Sequence, residues 1–517
     1  MSDRDRLDES LRTIAKGAGI GFVGTAIGLG FGFFTRIVIA RFLGPDEYGL
    51  ISLGVACLSI AATIGLLGLS SGITRYVSFY KGRNDRGRIK GTITSALKIS
   101  FPISLILASL LFFGSKWISV NIFDETNLEQ ILQIFAIAVP FWCLAQIFLR
   151  ATVGFQDVRY KVYVEDIFQN VFKVALIILL LYCGFGVLGA ALGWILAIIV
   201  MPFLALYFLE RRVFPIFDTK VKATSVRKEL FSFSWPLTLV EASRLIFGWT
   251  GTLMLGYFIT SYDVGIYNAA LPTAGLMQIA LAAFAAIFMP VISELYSTRK
   301  YEDIRRIYRI VTKWIFTIVF PGFLLIIIFS KQIMWILFGS EYVSGSTALC
   351  ILAFGYLIAS GVGPTSSVLT AFGKTKIIMG CYFVGAVANL VLNLYLIPIY
   401  GINGAAIATA SSYVFMNILT LLFVYKIGKV QPFSMSFFKP VLASVLACLL
   451  IYAVTKYLIG ATLFVLVVMF FVFLSLYFCL LLLFKGFEEE DLMIMSAIEE
   501  RTGVRWGLAR KIIGRFL

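Results

Sequence analysis

The sequence contains no histidine and few charged residues. Of its 517 residues only 14% are Asp, Glu, Lys or Arg, whereas a soluble domain carries about 25%. The chain therefore lacks the polar surface that a water-exposed fold requires. The absence of histidine excludes a histidine-ligated metal, a histidine general base and a histidine proton relay. The seven cysteines fall inside apolar runs without metal-ligand spacing, so we expect no metal site.

Long apolar runs take the place of the missing charge. The composition is 60% hydrophobic with a mean hydropathy of +0.93. Stretches of about 20 apolar residues recur along the chain, the length that crosses the hydrocarbon core of a bilayer. Backbone groups find no water there, so these runs predict helices. We predict an all-α polytopic membrane protein with about 14 transmembrane helices.

The excess of positive charge is explained by its position. The formal net charge is +16, which in a soluble protein would suggest nucleic acid. However, 36 of the 44 Lys and Arg residues fall in the loops on one side of the predicted spans. That asymmetry follows the positive-inside rule. It predicts cytoplasmic termini, a multi-pass protein of the cytoplasmic membrane, contact with membrane lipids and no nucleic-acid partner.

A weak internal repeat predicts two halves. Gly49 and Gly265 stand in similar motifs 216 residues apart, and Gly189 and Gly404 do so at 215. Repeats of this kind are typical of transporters. The predicted segments are a cytoplasmic N-terminus (1–16), an N-lobe of six spans (17–210), a cytoplasmic linker (211–231), a C-lobe of six spans (232–428), two further spans (438–484) and a cytoplasmic amphipathic tail (485–517).

No loop is long enough for a separate catalytic domain, which needs at least about 50 residues. Function must therefore reside within the bilayer, where a buried charge is costly and usually faces a cavity. Lys98 and Lys173 are interpreted as anchors that reach the headgroups. Arg244 lies near mid-depth with Glu241 three residues before it, which permits either a structural ion pair or a cationic cavity site.

Two arginines on the first span complete the candidate cation set. Arg36 lies in the outer half of that span and Arg41 follows it. If the first helices of the two halves face each other, Arg36 and Arg244 could bind one phosphate, because guanidinium binds phosphate bidentately. Several amides also lie inside spans, where they either join helices by hydrogen bonds or line a lumen for sugar hydroxyls. The amides selected as sugar contacts are Asn170, Asn268, Asn389 and Asn393.

Four stretches carry a family resemblance. They are FTRIVIARFLGPDEYGLISL (34–53), SSGITRYVSFYKGRND (70–85), YDVGIYNAALP (262–272) and NLVLNLYLIPIYGINGAAIATASSYVF (389–415). The sequence resembles the polysaccharide-transport branch of the multidrug/oligosaccharidyl-lipid/polysaccharide exporter superfamily, the Wzx-type lipid-linked oligosaccharide flippases. The resemblance covers about residues 10–430.

The resemblance implies two pseudo-symmetric lobes of six helices plus two C-terminal helices, alternating between inward- and outward-open states. It implies a polyprenyl- or dolichyl-(pyro)phosphate-linked oligosaccharide as substrate, moved to the outer leaflet for surface polysaccharide or glycoprotein glycan assembly. No covalent chemistry and no cofactor are expected. A glycan polymerase or ligase is a candidate partner. Arg36 matches the family's first-span arginine, and Arg244 falls where the family often carries a charge.

Two rival functions remain open. An ion-coupled multidrug or small-molecule exporter of the same fold would want buried carboxylates, and Glu241 is the candidate for Na⁺ or H⁺ coupling. A membrane-embedded glycosyltransferase or polymerase would need acid–base carboxylates or a sizeable outer loop.

Overall fold

The computed structural model describes residues 3–433, 437–454, 463–484 and 486–487, and these residues form helices without a β-strand. The chain divides into two compact units, Met1–Asn268 and Ala269–Leu517. The all-α membrane fold is therefore confirmed, because a chain in lipid must satisfy its backbone groups within each segment.

The first unit is built mainly from eight helices and three short π-helical turns. Its helices are α1 (Asp3–Leu66), α2 (Leu69–Gly82), α3 (Arg86–Trp117), α4 (Leu128–Gly154), α5 (Arg159–Lys161), α6 (Gln169–Tyr182), α7 (Gly186–Phe208) and α8 (Arg227–Phe258). The π-helical turns are Ile118–Ile122, Val162–Phe168 and Leu209–Val213. Residues 159–182 form one unbroken helical segment, here called the α5–α6 segment.

The boundary between the units lies inside α9 (Ser261–Gly275). The helices that follow are α10 (Gln278–Ser297), α11 (Tyr301–Leu337), α12 (Ser346–Gly361), α13 (Thr365–Ala371), α14 (Thr375–Gly428), α15 (Phe438–Val454) and α16 (Leu463–Leu483), with a 3₁₀ turn at Ser340–Gly345. Buried side chains of α11, α15 and α16 form one apolar cluster that includes Phe329, Cys448 and Phe473.

Seven helical stretches of the described residues are long and apolar enough to cross a membrane. The bent pair Ser261–Gly275 and Gln278–Ala285 would add an eighth. Two of the longest helices contain a break at a glycine with positive φ, Gly44 in α1 (φ 78°) and Gly401 in α14 (φ 57°). The predicted division into spans at these points is thus visible, but the total of 14 stays a prediction.

The predicted lobe boundary at 211–231 also stays a prediction, because the compact units divide later in the chain. Helix α8 packs within the first unit: a Cβ at Gly256 would lie 2.8 Å from Leu53, and the Gly68 backbone meets α8 at Ser234. The linker is held on α2 and α3. The Thr224 amide donates to the Gly87 carbonyl at 3.0 Å.

One side-chain contact joins α2 to the first turn of α8, where the predicted linker 211–231 ends. The Tyr80 hydroxyl donates to Glu229 Oε2 at 2.9 Å. Burial, together with the carboxylate of Glu229, raises the pKa of Tyr80. The tail predicted at 485–517 lies outside the described residues except for Gly486 and Phe487.

A glycine stripe fixes the position of α1. A Cβ at Gly21 would lie 3.7 Å from Val158, one at Gly28 would lie 3.2 Å from the Asp166 carbonyl oxygen, and one at Gly32 would lie 4.0 Å from Asn170 Oδ1. At Gly24 a Cβ would clash with Val162. From one glycine to the next, three or four residues along α1, the contacted residue lies four positions further along 158–170. Helix α1 therefore runs parallel to residues 158–170 at close range.

Candidate functional site

The glycine stripe brings Arg36 to Lys173. Continuing its register by one further turn places Arg36 beside Val174 of the α5–α6 segment, the residue next to Lys173. The two side chains are close enough for Arg36 to repel the Lys173 charge. Lys173 is only 5% exposed. Its expected role as a headgroup anchor is therefore wrong: the helix begins at Arg159, so Lys173 lies almost four turns along it.

Neutral groups hold Lys173 in place. Its Nζ donates to Asn170 Oδ1 at 3.0 Å and lies 4.6 Å from the centre of the Trp194 ring. Arg36 in turn lies near the Tyr48 hydroxyl. We call Arg36, Tyr48, Asn170, Lys173 and Trp194 the cationic cluster.

The cationic cluster has no carboxylate. In the part of the chain that the structure describes, neither Arg36 nor Lys173 takes part in an ion pair. Two adjacent cations repel each other, and a ring and an amide compensate buried charge only in part. The arrangement therefore provides a site for an anion.

Charged residues earlier in the same segment have partners of opposite charge. Lys161 Nζ lies 3.3 Å from Asp166 and 3.9 Å from Glu165. Gln146 donates to Glu165 at 3.2 Å and accepts from Arg150 at 3.3 Å. The uncompensated charge of the α5–α6 segment is thus concentrated at Lys173, about two turns beyond the paired carboxylates.

Tyr48 links the cluster to α8 and α9. Its hydroxyl donates to the Asn268 carbonyl at 3.0 Å, and the Asn268 amide donates to Thr252 at 3.1 Å. Asn268 is 2% exposed, so its amide joins helices in this structure. Asn170 likewise holds Lys173 and donates to the Asp166 carbonyl at 3.0 Å. Their predicted contacts with sugar stay predictions.

Arg244 lies at a different depth from the cluster. Thr252, which is joined to the cluster through Asn268, follows Arg244 by eight residues on α8, about 12 Å along the axis. Arg244 is exposed, and one turn further on a Cβ at Gly248 would meet nothing within 4 Å. This face of α8 therefore borders open space.

The ion pair considered for Glu241 and Arg244 is not formed. The ion pairs among the described residues do not include either side chain. A spacing of three on a helix permits contact between two side chains but does not enforce it. Arg41 is also exposed, three residues before the break at Gly44.

Asn389 and Asn393 lie in the second unit, on α14. Both are completely buried, and Asn393 Nδ2 donates to the Asn389 carbonyl at 2.8 Å. Asn389 Nδ2 and Asn393 Oδ1 are buried without a hydrogen-bond partner in the described structure. These amides line no open lumen here, and their predicted role in binding sugar is untested.

The second unit has no group of metal-ligating side chains within the described ranges. No group of three or more Cys, Asp or Glu side chains could hold an ion there. An apolar cavity of about 600 Å³ lies between α12 and α14, lined by residues such as Cys350, Phe354 and Ile407. Its lining offers no charge to a phosphate.

Comparison with known families identifies the chain. The model of the polysaccharide biosynthesis protein family matches residues 14–296, more than half of the sequence. The chain belongs to the polysaccharide biosynthesis protein family. The resemblance seen in the sequence is thereby confirmed. A second model, MatE, matches residues 236–395 of this polysaccharide biosynthesis protein.

Two relatives of this polysaccharide biosynthesis protein are named as flippases. The "Probable low-salt glycan biosynthesis flippase" of Haloferax volcanii is 25% identical, over 77% of this chain and 80% of the relative. The lipid II flippase MurJ of Bacillus subtilis is 22% identical, over 76% of this chain and 79% of the relative.

A solved structure of a lipid II flippase MurJ in an inward closed conformation has the same fold. It aligns with a TM-score of 0.72 and 17% identity, covering 91% of this chain and 99% of that chain. At this identity the likeness concerns the fold alone.

Proposed function

We propose that this protein is a flippase for a polyprenyl- or dolichyl-(pyro)phosphate-linked oligosaccharide. It moves the lipid from the cytoplasmic to the outer leaflet of the cell membrane by alternating access, with both termini cytoplasmic. The observation that carries the proposal is the pair Arg36 and Lys173, two adjacent cations without a carboxylate.

The cationic cluster suits a phosphate. Arg36 offers a planar set of donors that matches phosphate oxygens, and Lys173 offers a compact charge. Each cation has an aromatic neighbour: Tyr48 lies near Arg36, and the centre of the Trp194 ring lies 4.6 Å from Lys173 Nζ. An anion with two charges would neutralise the pair, and its hydrogen bonds to charged groups are stronger than those between neutral groups.

The other arginines serve the same head group at other positions. Arg244 lies about two helical turns from the cluster, too far to share a single phosphate with Arg36, and reaches a second phosphate or the first sugars. Arg41 meets the head group near the exit. The amides Asn170, Asn268, Asn389 and Asn393 contact sugars only after the helices that bury them rearrange.

The names of the relatives support this substrate class. One relative is named as a glycan biosynthesis flippase and another as a lipid II flippase, which fits transport of a lipid-linked glycan and a protein without covalent chemistry. A glycan polymerase or ligase would then act on the delivered lipid.

A small-molecule exporter coupled to an ion is the second candidate. The observation that favours it is Glu241, a half-buried carboxylate of α8 without an ion pair among the described residues. Glu241→Gln would then abolish the dependence of transport on a Na⁺ or H⁺ gradient. A glycosyltransferase is less well supported, because the flippase names describe transport.

The test is translocation of a polyprenyl-diphosphate oligosaccharide in proteoliposomes. Arg36→Ala and Lys173→Met should each slow translocation about 10- to 100-fold, the loss expected for one charged hydrogen bond. Lys98→Met is the matched control, because Lys98 lies in α3 and is exposed. Arg36→Lys should retain part of the activity.

The outcomes separate the alternatives. Equal translocation by wild type and both variants would make the cationic cluster structural. Absence of translocation by wild type, with efflux of a cationic dye along an ion gradient, would establish the exporter instead.

A further inference from the structure

Two hydroxyl groups of α8 are buried without a hydrogen bond. They are Ser234 Oγ and Thr238 Oγ1, one helical turn apart, and neither has a partner in the described structure. The Ser234 side chain is completely buried. A buried hydroxyl without a partner costs free energy, and such groups are rare in folded proteins. The free energy of this conformation is therefore raised at these two positions.

Another serine of α8 shows the usual arrangement. Ser243 is also buried, and its hydroxyl donates to the Leu239 carbonyl at 2.9 Å. Serine and threonine in a helix commonly donate to the carbonyl four residues earlier in this way. Helix α8 thus permits the bond, and its loss is confined to Ser234 and Thr238.

The unbonded hydroxyls lie where α8 packs against α2. A Cβ at Gly72 of α2 would meet Ser234 Oγ and would lie 3.0 Å from Leu230 Cδ1. A Cβ at Gly68, which precedes α2, would lie 3.0 Å from the Thr238 nitrogen. Glycine permits this close approach of two helices, and α2 thereby covers Ser234 Oγ. These five residues are here called the α2–α8 contact.

Hydrogen bonds join the same two helices at an exposed position. Tyr76 and Tyr80 of α2 donate to Glu229, at 3.3 Å to its carbonyl and 2.9 Å to its carboxylate. Glu229 belongs to the first turn of α8 and is exposed. Because water competes for bonds to an exposed residue, these bonds do little to hold the α2–α8 contact together.

The neighbours of α8 are hydrogen bonded at its other end. Just beyond the helix, Ser261 donates from its hydroxyl to Asp46 at 3.2 Å and from its amide to Glu125 at 3.2 Å. Asp46 lies in α1, after the break at Gly44. Separation there would break bonds, whereas separation at the α2–α8 contact would give two hydroxyls access to water.

We propose that α8 separates from α2 during the transport cycle, and that the unbonded hydroxyls of Ser234 and Thr238 destabilise the closed α2–α8 contact. On separation both hydroxyls bind water, which offsets part of the apolar contact that is lost. The loops next to this contact are those that the charge distribution assigns to the cytoplasm, so separation opens the first unit on that side. The inference rests on the proposed function, because it assigns the movement to transport.

The test is thiol labelling of Leu230→Cys in a chain whose seven native cysteines are changed to alanine. Leu230 is completely buried in the α2–α8 contact, so its rate of reaction with a polar maleimide reports how often the contact separates. Ser234→Ala and Thr238→Val remove the unbonded hydroxyls. Each should slow labelling about 10-fold, the effect of one unbonded buried group, and should raise the unfolding midpoint.

Ser243→Ala is the matched control, because it removes a hydroxyl of the same helix that has a hydrogen bond. It should leave the labelling rate unchanged and should not raise the midpoint. If Ser234→Ala does not fold, Thr238→Val makes the same test alone, since valine has the shape of threonine.

Unchanged or faster labelling of Leu230→Cys in both Ser234→Ala and Thr238→Val would overturn the proposal. Labelling needs no substrate, so this outcome does not depend on flippase activity. Translocation is then measured on the same variants, and it should be slower in Thr238→Val than in Ser243→Ala. Slower labelling with unchanged translocation would disconnect the movement from transport. Slower labelling in variants of a chain that translocates no glycan lipid would refute the proposed function and leave the unbonded hydroxyls as the cause of separation.

Discussion

The Lys173 ammonium lies 4.6 Å from the centre of the Trp194 ring, so α7 holds a buried cation of the α5–α6 segment without neutralising it. A cation over an aromatic face gains about 0.5–2 kcal/mol, less than the several kcal/mol that desolvation of an ammonium requires. The Lys173 ammonium therefore stays buried only because the packing of the rest of the fold stabilises that position.

Lys173→Met should separate stability from transport. Replacing a buried charge by an apolar side chain of similar volume is often neutral or stabilising by about 1–4 kcal/mol. We therefore expect an unchanged or higher unfolding midpoint together with loss of translocation. Thermal unfolding and flipping are measured on one preparation, with Lys98→Met as control. A lower midpoint in Lys173→Met would mean that the lysine stabilises the fold.

The glycine stripe of α1 should not tolerate an added methyl group at Gly24. Gly24→Ala clashes with Val162 and should cost about 1–3 kcal/mol, the usual penalty of overpacking. Val162→Ala in the same chain should recover much of the loss. Gly30→Ala is the control, because a Cβ there meets nothing within 4 Å and alanine favours a helix. Equal unfolding midpoints for Gly24→Ala and Gly30→Ala would contradict the close contact between the glycine stripe and Val162.

The break in α14 should require glycine. Gly401 has φ 57° and ψ −132°, a conformation that is costly for any residue with a Cβ. Gly401→Ala should cost about 1–3 kcal/mol, whereas Gly380→Ala on the same helix has open space around its Cβ and should be neutral. Denaturation in detergent compares the two. A neutral Gly401→Ala would mean that the helix runs straight through this position.

Tyr80→Phe should loosen the linker. It removes the hydrogen bond to Glu229, and a buried hydrogen bond contributes about 0.5–1.5 kcal/mol. Because the Tyr80 pKa is raised, the wild-type bond persists below pH 10 and is lost as the pH rises through the pKa of the folded state. Limited proteolysis of residues 214–226 at pH 7 and at high pH should therefore show a difference between variant and wild type only at the lower pH.

The sequence predicted the class of fold well because bilayer crossing depends on composition, which needs no tertiary information. It misplaced Lys173 because the helix of this residue begins at Arg159, before the apolar run. A usable signal was present: Gly24, Gly28 and Gly32 repeat every four residues, as do Val162, Asp166 and Asn170. Extending the two repeats by one step leads to Arg36 and Val174, the residue next to Lys173.

The i,i+3 spacing of Glu241 and Arg244 was not enough to predict whether the two side chains form an ion pair. Glu241 was correctly placed three residues away, yet the direction of each side chain depends on neighbouring helices that the sequence does not reveal. Arg244 is exposed, and a Cβ at Gly248, one turn further on, would meet nothing within 4 Å. Similarly, the sequence places Asn389 and Asn393 inside a span, but their complete burial depends on packing within the second unit.

The lack of a carboxylate beside Arg36 and Lys173 has a consequence for the resting protein. On the proposed function, the phosphate of the substrate supplies the missing counterion. The two cations therefore lack a counterion when no substrate is bound. Binding to the folded state alone adds stability according to ligand concentration. The unfolding midpoint should then report cargo affinity directly, without any transport assay, and inorganic pyrophosphate should already raise it.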